Sequence, residues 1–399
     1  MDLGMREWCH AIPKIELHAH LNGSIRDSTL LELAKGLGEK GVIVFEDVKH
    51  VIMKNGRSLP ECFQLFDLYH ILTTDHETVT RITKEVVEDF AAENVVYLEL
   101  RTTPKKNEAK GMTKRSYMKA VIDGLRSVDT VDVAFINSSR ENCLESAVSS
   151  STHGKIERKR IFIRLLLSID RRETTEAAME TIDLAREMKD FGVVGIDLSG
   201  NPVIGQWETF LPALKHAKDL GLPITIHCGE VPNRKEIQAM LDFFPQRMGH
   251  VCCLEDEEWR RLKSLKIPVE ICLTSNVRTE RVPSVEFHHF GPLSVFANLC
   301  QILLNPSTTR SYTVYAVDLY KAQHPLVLCT DDPGLFSTSL SNEYYLVAVT
   351  FGLNKGDMLQ LARKAIEHVF ADNGVKQYLT EIFEDAQRRL GLQNMHHIP

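Results

Sequence analysis

The chain has 399 residues, of which 43% are hydrophobic and 25% charged, and its formal net charge at pH 7 is -7. This is ordinary globular composition, and it excludes collagen, a coiled coil or disorder over the whole length. The acidic balance does not favour a nucleic acid polymer or an anionic membrane surface as a partner. Because no apolar run approaches the roughly 18 residues of a membrane helix, we expect no membrane partner.

Two features of the sequence indicate its compartment. The amino-terminal segment MDLGMREWCHAIPK lacks the apolar core that a secretory signal carries. The 9 cysteines are odd in number, several lie in apolar runs, and they form no C-x-x-C pair. Buried free thiols in a reducing compartment explain this pattern better than disulfides. We therefore expect a cytoplasmic, cytosolic protein, with a monomer as the default.

Short apolar runs alternate with helical patterns along the chain. The predicted strands cover residues 14–21, 95–102, 161–170, 193–199, 223–228, 247–251, 268–275 and 325–330. The predicted helices cover residues 76–94, 173–191, 206–220, 233–244 and 255–265, followed by 342–352, 355–370 and 375–390. This alternation predicts a parallel β/α architecture, and eight strands close a TIM (β/α)8 barrel. A doubly wound sheet is the competing fold, but no Gly-rich phosphate loop follows the first strand.

Two segments interrupt this alternation. Residues 137–159 are Ser-rich and polar, which is typical of a surface loop. Residues 291–317 carry two apolar runs separated by a Pro-Ser-Thr-Thr turn, and neither run fits the register of one barrel helix. We therefore predict a single barrel domain over residues 1–399, of the metal-dependent hydrolase type with additional helices, with insertions at about 137–159 and 291–317.

The first predicted strand carries two histidines. His18 and His20 lie two residues apart, so their side chains share one face of the strand. Two imidazoles at one strand end supply half of a zinc site. Two ordinary histidines are the alternative interpretation.

Three later strands end in further residues suited to metal chemistry. His227 and Glu230 occur in H-C-G-E after the fifth strand, a pairing suited to metal-assisted attack by water. His250 ends the sixth strand, and Asp331 and Asp332 follow the eighth. Adjacent carboxylates after an apolar strand are costly unless they are paired, metal-bound or hydrated. A solvated loop glutamate and helix N-caps are the ordinary alternatives.

The position of these residues makes them more informative together than singly. All fall at the carboxyl ends of predicted strands, the face on which barrel enzymes carry their sites. The residues that end the remaining strands are Arg101, Asp170, Gly200 and Asn276. The combination predicts a mononuclear metal hydrolase. A binuclear site needs a bridging ligand, often a modified Lys at the end of the fourth strand, and that strand ends here in D-L-S-G.

Seven motifs in order resemble a known family. H-A-H-L-N-G-S, L-E-L-R-T-T-P, G-I-D-L-S-G, H-C-G-E, M-G-H, C-L-T-S-N and C-T-D-D-P-G extend from about Pro13 to the C-terminal helices. They resemble the adenosine deaminase family of zinc amidohydrolases, and most closely its adenosine deaminase-like branch. The resemblance implies a small-molecule purine nucleotide as substrate, with N6-methyl-AMP and water giving IMP and methylamine.

The resemblance also implies roles for individual residues. The implied ligands of one Zn2+ are His18, His20, His227 and Asp331. Glu230 would protonate N1 of the purine ring, and His250 would orient the hydroxide that attacks C6. Asp332 would hold N7, and the backbone of Gly200 would face N3.

Further substrate-binding positions follow from the same resemblance. Together with Gly200 and Asp332 they are His20, Asn22, His70, Thr102, Thr103, Pro104, Lys105 and Asp170. Nucleoside-level members carry Asp where this chain has Asn22, and at about 5 Å and an effective dielectric near 20 a carboxylate would repel a phosphate by roughly 3 kcal/mol. Lys105 and its hydroxyl neighbours suit a phosphate. A solvated lysine, a helix-surface His70 and an Asp170 paired with Arg171 or Arg172 are the alternatives.

Two other functions stay open at this point. One is an adenosine or AMP deaminase with the same mechanism. The other is a catalytically impaired isoform, because the family does not usually carry a segment like residues 291–317, just upstream of the strand that leads to Asp331 and Asp332.

Overall fold

The computed structural model describes residues 3–54, 59–134, 159–291 and 319–392. Within these ranges the sheet contains the strands β1 (Lys14–His20), β2 (Val95–Thr102), β3 (Asp132–Ala134), β4 (Arg160–Asp170), β5 (Val193–Ser199), β6 (Ile224–Cys228), β7 (Arg247–His250), β8 (Val269–Ile271) and β9 (Leu326–Leu328). The strand order is β1-β2-β4-β5-β6-β7-β8-β9, and β3 pairs with β4. All of these pairs are parallel.

The barrel closes next to the candidate site. A parallel bridge joins Ala19 of β1 to Asp331, just beyond β9. The Asp331 N–H donates to the carbonyl of His18 at 2.7 Å, and the His20 N–H donates to the carbonyl of Asp331 at 2.9 Å. The eight-stranded barrel predicted from the sequence is therefore confirmed, and its closure brings the ends of the first and last strands together.

Helices surround this barrel. Over the described residues they are α1 (Met5–Ala11), α2 (Asp27–Glu39), α3 (Phe45–Ile52), α4 (Leu59–Leu72), α5 (His76–Ala92), α6 (Lys114–Arg126), α7 (Thr175–Glu187), α8 (Trp207–Asp219), α9 (Arg234–Phe243), α10 (Asp256–Leu265), α11 (Leu273–Arg278), α12 (Pro333–Phe336), α13 (Leu340–Phe351), α14 (Lys355–Lys364) and α15 (Asn373–Arg389). No helix among these residues is long and apolar enough to cross a membrane.

The core lies between the strands and the helix faces that cover them. Every residue of β2 is buried, as expected for a strand covered on both faces. On α5 the residues at helical spacing, including Val79, Ile82 and Val86, are buried against the barrel. Asn233 caps α9 by accepting from the Glu236 N–H, as its position predicted.

The structure corrects the eighth-strand region of the prediction. The predicted strand 268–275 ends at Ile271, and Leu273–Arg278 form the short helix α11. The Asn276 N–H donates to the carbonyl of Cys272, and Glu343 accepts from the Thr274 N–H. A distant carboxylate thus stabilises a helical turn where local apolar content predicted a strand, and Asn276 does not end a strand.

The predicted insertions lie almost wholly outside the described residues. Residues 289–290 and 319–320, on either side of the second insertion, are described, and they approach each other. The Leu319 N–H donates to the carbonyl of His289 at 3.3 Å, and the Tyr320 N–H donates to that of Phe290 at 3.0 Å. The Phe290 and Tyr320 rings stack with centroids 5.5 Å apart.

Candidate active site

Four side chains from three barrel strands converge at the carboxyl end of the barrel. The Nε2 atom of His227 lies 3.1 Å from Nε2 of His18 and 3.2 Å from Nε2 of His20. Oδ1 of Asp331 lies 3.3 Å from both His18 Nε2 and His20 Nε2. A tetrahedral zinc ion with bonds of roughly 2.0–2.1 Å needs ligand atoms about 3.3–3.4 Å apart. These separations therefore fit one metal ion.

The hydrogen bonds made by the Nδ1 atoms of His18 and His227 indicate that their Nε2 atoms carry free lone pairs. Nδ1 of His18 donates to Glu270 at 2.6 Å. Nδ1 of His227 lies 3.1 Å from Asp197 Oδ1 and 3.1 Å from the Leu198 carbonyl. In each neutral ring Nε2 is then the unprotonated nitrogen. Lone pairs that point at one another need a cation between them, which is how metal-binding histidines are oriented.

A buried ion network lies beneath these histidines. Arg101 donates to Asp197 at 3.0 Å and to Glu270 at 2.9 Å, and all three side chains are fully buried. Arg247 donates to the other oxygen of Glu270 at 2.7 Å. Burial raises the pKa of Glu270, but the two guanidinium groups overcome this and hold it well below its usual range. The carboxylates that orient His18 and His227 therefore stay charged.

A pattern in the sequence beyond the seven motifs indicates this network. Arg101, Asp197, Arg247 and Glu270 are charged residues inside otherwise apolar strands. Such residues are costly to bury unless they are paired. Their presence in adjacent strands of a parallel barrel indicates mutual pairing in its interior, although it does not reveal which residue pairs with which.

Glu230 and Asp332 are carboxyl groups with raised pKa values at the same end of the barrel. Burial raises the pKa of the Glu230 carboxyl above its usual value. Burial and the neighbouring Asp331 raise the pKa of Asp332 well above its usual range. Asp332 packs against the backbone of Gly23, where an added Cβ would lie 1.6 Å from its Oδ1. The position needs glycine because that carboxylate occupies the space.

Two buried polar atoms near these groups lack partners among the described residues. One is Nε2 of His250, which lies 4.0 Å from Asp331 Oδ2, and the other is Oδ1 of Asn22. The ligand atoms of His18, His227, His250 and Asp331 all lie within 4.8 Å of one another. Buried polar atoms normally have a partner, so both positions are suited to a ligand.

A second cluster gathers cationic groups around the end of β4. Lys105 donates to the Thr73 hydroxyl at 2.5 Å. Arg172 holds Asp170 through two hydrogen bonds, of 2.9 and 2.6 Å, and its Nη2 lies 3.2 Å from His70 Nε2. Burial and the charge of Arg172 lower the pKa of Lys105 to about 8. The sequence indicated Arg172 only as a salt-bridge partner of Asp170 and gave no sign of Thr73.

The remaining predicted substrate-binding positions differ in their burial and in their hydrogen bonds. The Thr102 hydroxyl shares a hydrogen bond of 2.7 Å with Tyr117, so it is already satisfied. Thr103 is half-buried and Pro104 is buried. Gly200 has φ +106 and lies beside Asp170, where an added Cβ would be 3.1 Å from the carboxylate. The positive φ and the closeness of Asp170 and Arg171 both favour glycine at this position.

The family of the protein follows from comparison with known sequences. A family model described as Adenosine deaminase matches residues 13–299 and 312–386. The chain belongs to the adenosine deaminase family. As a member of the adenosine deaminase family it is a hydrolytic deaminase, and the cluster of histidines and Asp331 is its candidate metal centre.

Relatives within this family match the chain over nearly its whole length. It is 62% identical over 380 residues to the N6-mAMP deaminase of Arabidopsis thaliana, covering 95% of this chain and 98% of the relative. The apo structure of the Arabidopsis N6-methyl-AMP deaminase has a TM-score of 0.83 at 60% identity and covers 96% of this chain and 99% of its own. A second Arabidopsis structure, complexed with IMP, has a TM-score of 0.82 at 60% identity and covers 96% of this chain and 99% of its own.

Proposed function

We propose that this protein is a zinc-dependent hydrolase that converts N6-methyl-AMP and water to IMP and methylamine. The observation that carries the proposal is the convergence of His18, His20, His227 and Asp331, in which Nε2 of His227 and Oδ1 of Asp331 each lie 3.1 to 3.3 Å from Nε2 of both His18 and His20. When bound there, a zinc ion would supply Lewis acidity that lowers the pKa of water toward about 7.

The overall reaction needs a new C6–O bond and the loss of the C6–N bond to methylamine. A proton delivered to N1 makes C6 electrophilic, and Glu230 is suited to deliver it because burial raises the pKa of its carboxyl. The two protons of the attacking water balance the reaction, because one replaces the proton that is delivered to N1 and the other leaves on the methylamine. In the proposed reaction His250 holds the attacking water, Asp332 binds N7, and the backbone of Gly200 faces N3.

The phosphate of the proposed substrate is assigned to the cationic cluster of Lys105, Arg172 and His70. A dianionic phosphate would pair with the two charged groups, Lys105 and Arg172. Asn22 is neutral, so a nucleotide meets no carboxylate at the position where nucleoside-level members carry Asp. The 62% identity to a relative named N6-mAMP deaminase, and the IMP complex of an Arabidopsis relative, support the same substrate class.

The proposed function is tested by an assay with three substrates. The zinc-loaded protein is given N6-methyl-AMP, AMP and adenosine, and the products are identified by mass spectrometry. We expect IMP and methylamine from N6-methyl-AMP, at a higher kcat/KM than for either competitor. Faster turnover of adenosine would instead support a nucleoside deaminase of the same mechanism.

We also propose that residues 1–399 form one barrel domain with insertions at about 137–159 and 291–317. The family match is interrupted between residues 299 and 312, inside the second of these segments. The backbone bonds between residues 289–290 and 319–320 support an insertion that leaves and rejoins the barrel at one place. The described cysteines Cys9, Cys228, Cys252, Cys253, Cys272 and Cys329 are free thiols, which supports a cytosolic location. The monomeric state stays a prediction.

A further inference from the structure

A continuous chain of hydrogen bonds connects His250 to the backbone beyond α11. The Asn276 amide nitrogen lies 2.9 Å from Nδ1 of His250. On its other side, the Asn276 amide oxygen lies 3.0 Å from Nε2 of His288. Nδ1 of His288 in turn accepts from the Phe290 N–H at 3.1 Å. The side chains of His250, Asn276 and His288 are each at most 2% exposed, so water does not compete for these bonds.

The direction of every bond in this chain follows from its last member. A backbone N–H can only donate, so Nδ1 of His288 must be the unprotonated nitrogen. Burial and the neighbouring His289 and His250 lower the pKa of His288 well below its usual value, so the ring is neutral. Its single proton is therefore on Nε2 and is donated to the Asn276 oxygen.

The orientation of the Asn276 amide determines which nitrogen of His250 carries the proton. Exchanging its oxygen and nitrogen would place an amide N–H against the Nε2–H of His288, so the amide has one allowed orientation. Its nitrogen then donates to Nδ1 of His250, which cannot carry a proton there. The proton of a neutral His250 ring is consequently on Nε2, the buried atom that has no partner among the described residues.

We propose that Asn276 and His288 are positioning residues that fix the proton of His250 on Nε2 and thereby make His250 a hydrogen-bond donor to the attacking water. This inference rests on the proposed function, because it deepens the role of His250 in the same site. A neutral imidazole that presents Nε2–H can stabilise negative charge developing on the attacking oxygen. It has no lone pair at that nitrogen with which to accept a proton from the water.

The inference is tested by 15N NMR on histidine-labelled, zinc-loaded wild-type protein, with His250 and His288 assigned from the spectra of His250→Gln and His288→Asn. We expect Nδ1 of both rings to give the resonance of an unprotonated imidazole nitrogen and Nε2 that of a protonated one. The reverse pattern in either ring, or a doubly protonated His250, overturns the proposal. The spectrum requires no substrate, so it can fail independently of the proposed function.

Asn276→Asp provides a second test. A carboxylate at this position accepts from both rings, so we expect the proton of His250 to appear on Nδ1. Without the Nε2–H of His250 as a donor to the attacking water, kcat should fall by about 10²-fold or more. KM, zinc content and thermal stability should stay near wild type. His324 serves as the matched control, because it is similarly buried and bonds the Ile267 carbonyl at 2.8 Å. His324→Phe should leave kcat and the His250 resonances unchanged.

An unchanged kcat in Asn276→Asp with a relocated proton would overturn the proposed role of the tautomer. An unchanged tautomer in that variant would overturn the role of Asn276. If Asn276→Asp does not fold, the wild-type spectrum decides the proposal by itself.

Discussion

Glu270 accepts a hydrogen bond from Nδ1 of His18 at 2.6 Å, and both side chains are completely buried. Glu270 also accepts from Arg101 and Arg247, so one carboxylate orients a candidate metal ligand and neutralises two buried guanidinium groups. A metal ligand held in this way has a fixed tautomer and ring orientation. Disturbing Glu270 should therefore affect metal binding and folding together.

Glu270→Gln should weaken zinc binding about 10- to 100-fold, because the amide cannot serve all of these donors. Breaking a buried charge network should also lower the free energy of unfolding of the metal-free protein by about 3–5 kcal/mol. Competition with a zinc chelator and denaturant titration measure the two effects. Glu343→Gln is the control for zinc binding. This equally buried carboxyl bonds Thr274 and Thr338 and no candidate metal ligand, so its loss should leave zinc affinity unchanged. Equal zinc affinity in Glu270→Gln and wild type would contradict the prediction.

Glu230→Gln should remove the proton donor for N1 while leaving the metal ligands in place. We expect kcat to fall by about 10²- to 10⁴-fold, the usual contribution of a positioned acid. Zinc content, measured by atomic absorption, should stay at the wild-type level. Glu257→Gln, at an exposed glutamate paired with Arg234, should leave kcat unchanged. A Glu230→Gln variant with wild-type kcat would show that N1 is protonated from elsewhere.

The pKa of Lys105, lowered to about 8 by burial and Arg172, predicts a pH dependence of nucleotide binding. The charged amine attracts phosphate below that pH, and the attraction is lost as the pH rises through it. KM for N6-methyl-AMP should therefore increase above about pH 8, whereas KM for the corresponding nucleoside should not. Lys105→Arg should abolish this increase. Lys106→Ala, at the exposed neighbour paired with Glu180, should keep the wild-type profile.

Asn22→Asp should discriminate between nucleotide and nucleoside. Repulsion of roughly 3 kcal/mol between the new carboxylate and a 5′-phosphate should lower kcat/KM for N6-methyl-AMP by about 100-fold. The nucleoside, which has no phosphate, should be affected less. Asn22→Ala removes the amide without adding charge, so it should lower both activities alike. An equal loss for both substrates in Asn22→Asp would place the phosphate elsewhere.

Deleting residues 291–317 should preserve the barrel and its activity. The backbone bonds between residues 289–290 and 319–320 already hold the flanking segments together, and loop length changes closure entropy only slowly. Thermal denaturation and kcat/KM for N6-methyl-AMP, compared with the full-length chain, measure the outcome. An inactive full-length chain together with an active deletion variant would instead identify this protein as an impaired isoform.

The sequence predicts the barrel and much of its candidate site because both depend on local patterns. Side-chain direction in a strand alternates residue by residue, so His18 and His20 share a face in any fold that keeps the strand. Parallel strands place their carboxyl ends together, so His227 and Asp331 are expected near them. The N-cap at Asn233 is equally local.

Local patterns are insufficient where distant residues decide the structure. Glu343 stabilises the helical turn that contains Asn276, and nothing in residues 268–275 reveals this partner, 69 residues away. Arg172 is a surface residue by its local sequence, yet the end of α4 brings His70 to it. Neither contact could be predicted, because a contact between elements is not encoded in the periodicity of either one.

By itself, then, the sequence determined the strand order, the chemical identity of the candidate ligands and the end of the barrel at which they meet. The tertiary structure decided which buried charges pair, since strand register sets whether Arg101 reaches Asp197 and Glu270. It also decided the proton position on His250, because that depends on the orientation of one amide between two elements and a backbone N–H beyond them. Strand register and amide orientation depend on how the elements pack against one another, and this packing is complete only in the closed barrel.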